Sequence, residues 1–219
     1  MDHGHIVTCF QFVVWSIAVT LAISVTGDIS GAHLNPAITI ALATFRDFEW
    51  SKVPAFVVAQ LFGAVAGAAT NLGLFYGAIA EFESASNIVR GTKASIASAK
   101  AFGEYWDVAS WQSAFLAEAY GTAILALVIF SLTNSKNKTT AKNPILVPPL
   151  IGATVGALIS VIAPLTQAGF NPARDFGPRL IALLGGWGAI AMQGWWVYIF
   201  GPIVGALVGA FLAEKLLYK

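Results

Sequence analysis

Apolar residues in this chain run in long stretches that are separated by short polar segments. A helix needs roughly 20 predominantly apolar residues to cross the hydrocarbon layer of a bilayer. Five stretches reach that length, at about 7–27, 53–77, 112–132, 145–165 and 194–214. The pattern therefore predicts an all-α membrane protein with five full spans and no separate soluble domain.

Two further apolar stretches, 36–45 and 172–185, are only about half as long, and each starts at an Asn-Pro-Ala triplet. Proline suits the first turn of a helix, where its missing N–H would have no partner. The preceding asparagine can cap free N–H groups through its side-chain oxygen, which leaves its NH₂ group as a hydrogen-bond donor. We expect two half-helices, opened by Asn35-Pro36-Ala37 and by Asn171-Pro172-Ala173.

The two triplets form an internal repeat whose halves have opposite orientations in the membrane. Three full spans lie between them, an odd number, so the two loops enter from opposite faces. Broken helices that meet at the midplane of inverted repeats mark a permeation site. Their positive N-terminal ends repel cations, while the asparagine amides can hold a solute oxygen. The arrangement predicts a channel that passes neutral hydrogen-bonding molecules and excludes protons and ions.

We expect a single channel domain over 1–219. It divides into a first repeat at 1–78, a connecting loop at 79–110 and a second repeat at 111–219. The glycine pairs Gly63/Gly67 and Gly201/Gly205 have the spacing that lets membrane helices approach closely.

The composition agrees with a lipid environment, since 57% of the residues are apolar, 11% are charged and the mean hydropathy is +0.74. A net charge of +1 gives no reason to expect nucleic acid as a partner. Lysines are concentrated in the gap 133–143 and at the C-terminus, two segments separated by two spans. Lys and Arg in short loops mark the cytoplasmic side, so we expect both segments there. The sequence does not indicate which membrane is the host.

The sequence predicts no metal site, no cofactor and no enzymatic activity. One cysteine, Cys9, excludes a thiolate cluster, and His3 and His5 lie on a terminus where ligation is unusual. His33 is the only histidine inside the apolar body, and no nucleophile with a positioned base is evident.

The segments 30–37 and 171–178 resemble the paired signatures of the major intrinsic protein (aquaporin) family. The resemblance covers nearly the full chain and implies an aquaporin-like inverted-repeat bundle that assembles as a homotetramer. It also implies supporting roles for His33 and Asp175, and for Glu118, which we expect to bind the backbone of a loop.

The resemblance further implies a selectivity filter of four side chains, namely Trp15, Ile159, Ala168 and Arg174. Water-selective relatives have a narrower, more polar ring, whereas this one sets an apolar wall opposite one cation. An arginine inside a membrane half-helix is costly, which makes Arg174 a functional hypothesis by itself. The set fits a polyol, so the aquaglyceroporin branch is implied, with glycerol and some water as solutes.

Several alternatives remain open at this stage. The filter and Tyr198-Ile199 resemble the plant nodulin-like subgroup, whose solutes include urea, ammonia and metalloid hydroxides, and a water-selective aquaporin is a further option. The family has six spans and this chain shows five, with the first span missing. The chain is therefore either a piece of a longer one or a true five-span variant, and a non-conducting protein is one interpretation. A secondary transporter is disfavoured because Glu118 and Asp175 are the only candidate coupling carboxylates.

Overall fold

A computed structural model describes residues 3–107 and 110–219, with side chains from Phe10 onward. This part of the chain is helical and contains no β-strand. Five helices are long and apolar enough to cross a membrane, and two shorter ones follow the triplets, as predicted. In chain order these helices are α1 His3–Ser30, α2 Pro36–Phe45, α3 Val53–Ala85, α4 Trp111–Leu132, α5 Val147–Thr166, α6 Pro172–Ala182 and α7 Val197–Phe211.

The helix ends differ from the predicted ones where the sequence carries no capping signal. Helix α3 continues to Ala85, so the connecting loop expected from residue 79 begins later. The second half-helix ends at Ala182, and a π-helical turn with a kink at Gly186 follows it. The remaining short segments are the helices Ile96–Ala99 and Lys138–Lys142, the 3-10 turns Trp50–Lys52, Lys93–Ser95, Pro144–Leu146 and Gly188–Met192, and the π-helical turns Leu183–Trp187 and Leu212–Leu217.

Close contacts between helices depend on glycines in the second repeat. Helix α7 packs along α4, and the backbone of Ala119 lies so near Gly205 that no Cβ would fit between them. Helices α1 and α5 make a similar contact, because Gly152 and Gly156 lie against the first of them. Close approach of two helices at small residues is typical of helix packing in membranes.

The matching glycines of the first repeat do not pack in this way, contrary to the prediction from their spacing. Nothing in the described residues lies within 4 Å of a Cβ added at Gly63 or Gly67. The difference has a simple physical cause. In the second repeat the partner helix is α4, and no counterpart of α4 covers this face of α3 within the described residues.

The two half-helices connect the two repeats, because each half-helix packs against the last span of the other repeat. Helix α2 lies against α7, and helix α6 lies against α3. This exchange brings the first residues of α2 and α6 together in the middle of the bundle. The domain division at 1–78, 79–110 and 111–219 stays a prediction.

Candidate permeation site

The two asparagines of the triplets bind each other's loop. The Asn35 side chain accepts a hydrogen bond from the Ala37 N–H at 2.9 Å, and its Nδ2 donates to the Phe170 carbonyl at 2.8 Å. The Asn171 side chain likewise caps α6, while its Nδ2 donates to the Leu34 carbonyl at 2.8 Å. One NH₂ hydrogen of each amide is therefore committed to the opposite loop. The second hydrogen is the one that a solute can use.

The loops before both half-helices share an unusual backbone. Left-handed φ angles are uncommon for residues other than glycine and cluster at functional sites. Three residues in each loop have them, and the two sets are separated by the same spacing as the two asparagines: Gly31, Ala32, Leu34, Gln167, Ala168 and Phe170. The repeated conformation turns successive carbonyl groups in different directions. The carbonyls of Leu34 and Phe170 accept hydrogen bonds from the two asparagine side chains, and those of Ala168 and Gly169 accept from Arg174.

Glu118 of α4 holds the second loop in this conformation. Its carboxylate is fully buried and accepts hydrogen bonds from the N–H groups of Gly169 at 3.0 Å and Phe170 at 2.7 Å. It also accepts one from the Thr166 hydroxyl at 2.6 Å. These three donors occupy the carboxylate within the protein, so Glu118 acts here as a support of the loop.

The first loop is held by different groups. The His33 Nδ1 lies 3.2 Å from the Thr39 hydroxyl, which also accepts a hydrogen bond from Gln60 Nε2 at 3.0 Å. The His33 ring packs against Phe48 and Phe56, with ring centres 4.6 and 4.8 Å away. Among the described residues, no carboxylate hydrogen-bonds this loop in the way that Glu118 binds the second one.

The four predicted filter residues, Trp15, Ile159, Ala168 and Arg174, line one cavity, with Arg174 as its charged side chain. The Arg174 Nη1 donates to the carbonyls of Ala168 at 3.1 Å and Gly169 at 3.3 Å. Its guanidinium carbon lies 4.5 Å from the centre of the Trp15 ring. Ile159 belongs to the buried apolar cluster against which Trp15 packs. The geometry thus provides fixed guanidinium donors beside an apolar wall.

Two cavities meet at this region, with volumes of about 1170 Å³ and 340 Å³. Ala168 lines the smaller cavity only. Six residues line both: Trp15, His33, Leu34, Ile159, Asn171 and Arg174. We call this shared boundary, where the sequence predicts the selectivity filter, the constriction.

Asp175 lies behind the constriction and is fully buried. Its carboxylate binds the Arg179 Nε at 2.8 Å and accepts a hydrogen bond from the Glu104 N–H at 2.7 Å. Arg179 donates in turn to the carbonyls of Ala191 and Gln193. The pair ties the start of α6 to the connecting loop and keeps Arg174 in register with that loop.

Sequence reasoning missed Glu104, whose carboxylate lies 2.7 Å from the Arg174 Nη1. The residue stands in the connecting loop, where no periodicity or cap predicts an inward side chain. One signal was available, since two arginines in one short half-helix need two acids nearby and Asp175 supplies only one.

No group of three potential metal ligands occurs among the residues that the structure describes. The side chains of His3, His5 and Cys9 lie outside those residues.

Paired half-helices with reciprocal asparagine bonds, inside a bundle of membrane-length helices, define a multi-pass membrane channel. The chain matches the major intrinsic protein family over residues 3–213 and belongs to that family.

Relatives of the chain include glycerol uptake facilitators of bacteria. It is 44% identical over 205 residues to the glycerol uptake facilitator protein of Pseudomonas aeruginosa, covering 90% of this chain and 73% of the relative. It is 43% identical over 212 residues to the protein of the same name from Escherichia coli, covering 94% and 75%. Its fold is similar to that of the aquaglyceroporin from Plasmodium falciparum, with a TM-score of 0.75 and 30% identity over 93% of this chain and 80% of that one.

Proposed function

We propose that this protein is a passive channel for glycerol and similar small polyols, with some water, and that it excludes protons and ions. The observation that carries the proposal is the constriction, where Arg174 donors face the apolar side chains of Trp15 and Ile159. A polyol presents hydroxyls along one edge and carbon atoms along the other. The hydroxyls can accept hydrogen bonds from Arg174, and the carbon atoms can contact Trp15 and Ile159. The names of the bacterial relatives support the same solute class.

Ion exclusion in this proposal has two sources. The N-terminal ends of α2 and α6 carry partial positive charge and meet at the asparagine pair. Both amides offer hydrogen-bond donors at the same point, which would interrupt a chain of water molecules. Such a centre favours neutral solutes over cations without any moving gate.

The test is solute uptake by proteoliposomes of the purified protein. After mixing with hyperosmotic glycerol, the liposomes should first shrink and then swell rapidly as glycerol enters, which light scattering records. Hyperosmotic sucrose should give shrinkage only. Urea, ammonia and boric acid, assayed in parallel, separate this proposal from the nodulin-like alternative. Glycerol uptake no faster than in empty liposomes would contradict the proposal and favour a non-conducting protein.

The functional unit that we propose is a homotetramer in a bilayer, with one pore in each subunit, no enzymatic activity and no nucleic-acid partner. The C-terminus and loop 133–143 are proposed to face the cytoplasm, because both carry lysines. Labelling Lys138→Cys in a Cys9→Ser background with a membrane-impermeant maleimide tests the orientation. Labelling of intact cells without permeabilisation would reverse it.

A further inference from the structure

The two repeats are in register, so each residue of one repeat has a counterpart in the other. Helix α1 ends at Ser30 and α5 ends at Thr166. These two ends are separated by the same interval as Asn35 and Asn171. The residues with left-handed φ angles in the two loops share that interval as well. The four filter residues must therefore have counterparts on the opposite side of the two asparagines.

These counterparts are all apolar and form what we call the inner ring. For Trp15, Ile159, Ala168 and Arg174 they are, in the same order, Ile151, Ile23, Ala32 and Ile38. All four line the smaller cavity, as the filter residues do. The one cation of the filter is thus matched by the isoleucine side chain of Ile38.

The inner ring lies between the filter and the end of the cavity near loop 133–143. On α5, Ile151 comes about two helical turns before Ile159, and Val155 between them lines the same cavity. On α1, Ile23 comes equally far after Trp15. Two turns of an α-helix span about 11 Å. A solute that passes the filter therefore meets a second set of side chains about 11 Å further on.

Packing fixes the side chains of the inner ring from three helices. Ile38 of α2 is 2% exposed and belongs to a buried cluster with Phe130. Ile151 of α5 is 6% exposed and belongs to the buried cluster against which Ile23 of α1 packs. The apolar groups are therefore part of the wall of the smaller cavity, with little freedom to turn away from it.

We propose that the inner ring is a second selectivity element, which hinders water and ions more than polyols. Isoleucine and alanine side chains neither donate nor accept hydrogen bonds, and apolar constrictions exclude water for this reason. The filter differs in kind, because Arg174 offers donors there. This inference rests on the proposed function, since it concerns how solutes that have passed Arg174 cross the rest of the pore.

Water and glycerol differ in what they lose at the inner ring. A water molecule consists of hydrogen-bonding groups only, so beside isoleucine it loses partners and gains no contact in return. Glycerol can place its carbon atoms against Ile38 and Ile151 while its outer hydroxyls reach beyond the ring. A polar group added to the ring should therefore speed water more than glycerol.

The experiment compares threonine with valine at the same position, in proteoliposomes that report both osmotic water permeability and glycerol permeability. The two side chains are β-branched and of similar size, and they differ in one hydroxyl. That hydroxyl can accept a hydrogen bond from water even where it donates to its own helix. The ratio of water to glycerol permeability should be about fivefold higher in Ile38→Thr than in Ile38→Val, which corresponds to about 1 kcal/mod in a barrier. The pair Ile151→Thr and Ile151→Val should show the same order.

The matched control is the same pair of substitutions at Ile17. This residue lies on α1 between Trp15 and Ile23, but it is 54% exposed and lies outside both cavities. Ile17→Thr and Ile17→Val should have equal ratios of water to glycerol permeability.

A chemical measurement separates a pore-lining role from a merely structural one. In a Cys9→Ser background, Ile38→Cys should make water and glycerol uptake sensitive to mercuric chloride, and a thiol reductant should restore both. Ile17→Cys in the same background should stay insensitive. A residue that only packs inside the protein would give no reversible block.

The outcomes distinguish this inference from the proposed function. A wild type that conducts glycerol, with equal ratios for threonine and valine at Ile38 and at Ile151, overturns the inner ring alone. A wild type that conducts neither solute overturns both proposals. If the Ile38 variants fail to fold, the pair at Ile151, on a different helix, still decides the question.

Discussion

The guanidinium carbon of Arg174 lies 4.5 Å from the centre of the Trp15 indole ring, so a cation and an aromatic face adjoin at the constriction. A cation over an indole ring is stabilised by about 0.5–2 kcal/mol. The contact keeps the guanidinium beside the apolar wall and gives both residues a part in selectivity.

Trp15→Ala should reduce discrimination among polyols more than it reduces water flow. The loss of an apolar surface in a pocket changes selectivity by about 1–3 kcal/mol, roughly ten- to hundredfold. Stopped-flow uptake of glycerol, erythritol and xylitol measures the effect. Trp50→Ala, at a residue that is 57% exposed and lies outside both cavities, is the control. Equal polyol ratios in the two variants would mean that Trp15 is a packing residue.

Ile159→His should favour water over glycerol. The imidazole would bring a polar group into the filter opposite Arg174. The carbon chain of glycerol would lose an apolar contact, and water would gain a hydrogen-bond partner. The ratio of water to glycerol permeability should rise about tenfold or more, by the same scale of apolar contact. Ile159→Leu keeps the apolar wall and should leave the ratio unchanged. A ratio that does not respond to histidine would remove Ile159 from the filter.

Arg174→Val should admit protons or small cations that the wild type excludes. The substitution removes a positive charge and leaves the Glu104 carboxylate, 2.7 Å away in the wild type, without its partner. Proton leak is measured in liposomes with an internal pH dye under an imposed potential. Lys93→Val removes an exposed charge outside both cavities and should not leak. The double variant Arg174→Val, Glu104→Gln should leak less than Arg174→Val alone, since the attracting carboxylate is gone.

Glu118→Ala should destabilise the folded protein. The change leaves the buried N–H groups of Gly169 and Phe170 without an acceptor, at a cost of about 1–3 kcal/mol each. Thermal unfolding in detergent should show a clear drop in the midpoint. Glu81→Ala, at an exposed position of α3, serves for comparison and should unfold like the wild type. Equal midpoints for the two variants would contradict the support role.

Local chemistry made the half-helices the easiest part to predict. An asparagine cap followed by proline marks a helix start whatever surrounds it, and both predicted starts agree with the structure. The end of α3 at Ala85 was missed because no glycine or proline stops the helix. The prediction that Gly63 and Gly67 pack against another helix was wrong. The spacing of two glycines shows that a second helix could approach closely, but it does not show that a second helix is present. Two arginines in one half-helix indicated a second acid nearby, but they did not identify Glu104, because its contact with Arg174 depends on the path of a long loop.

The reciprocal bonds of the asparagines also impose an order on biosynthesis. The Asn35 side chain and its acceptor, the Phe170 carbonyl, are 135 residues apart in the chain. At a translation rate of about 5–20 residues per second, roughly 7 to 27 s separate their emergence from the ribosome. During that interval the first half-helix has been synthesised, but the Phe170 carbonyl that accepts the Asn35 hydrogen bond has not. The first repeat is therefore in the membrane before this hydrogen bond can form. A nascent chain that ends before Phe170 leaves the Asn35 Nδ2 without this acceptor.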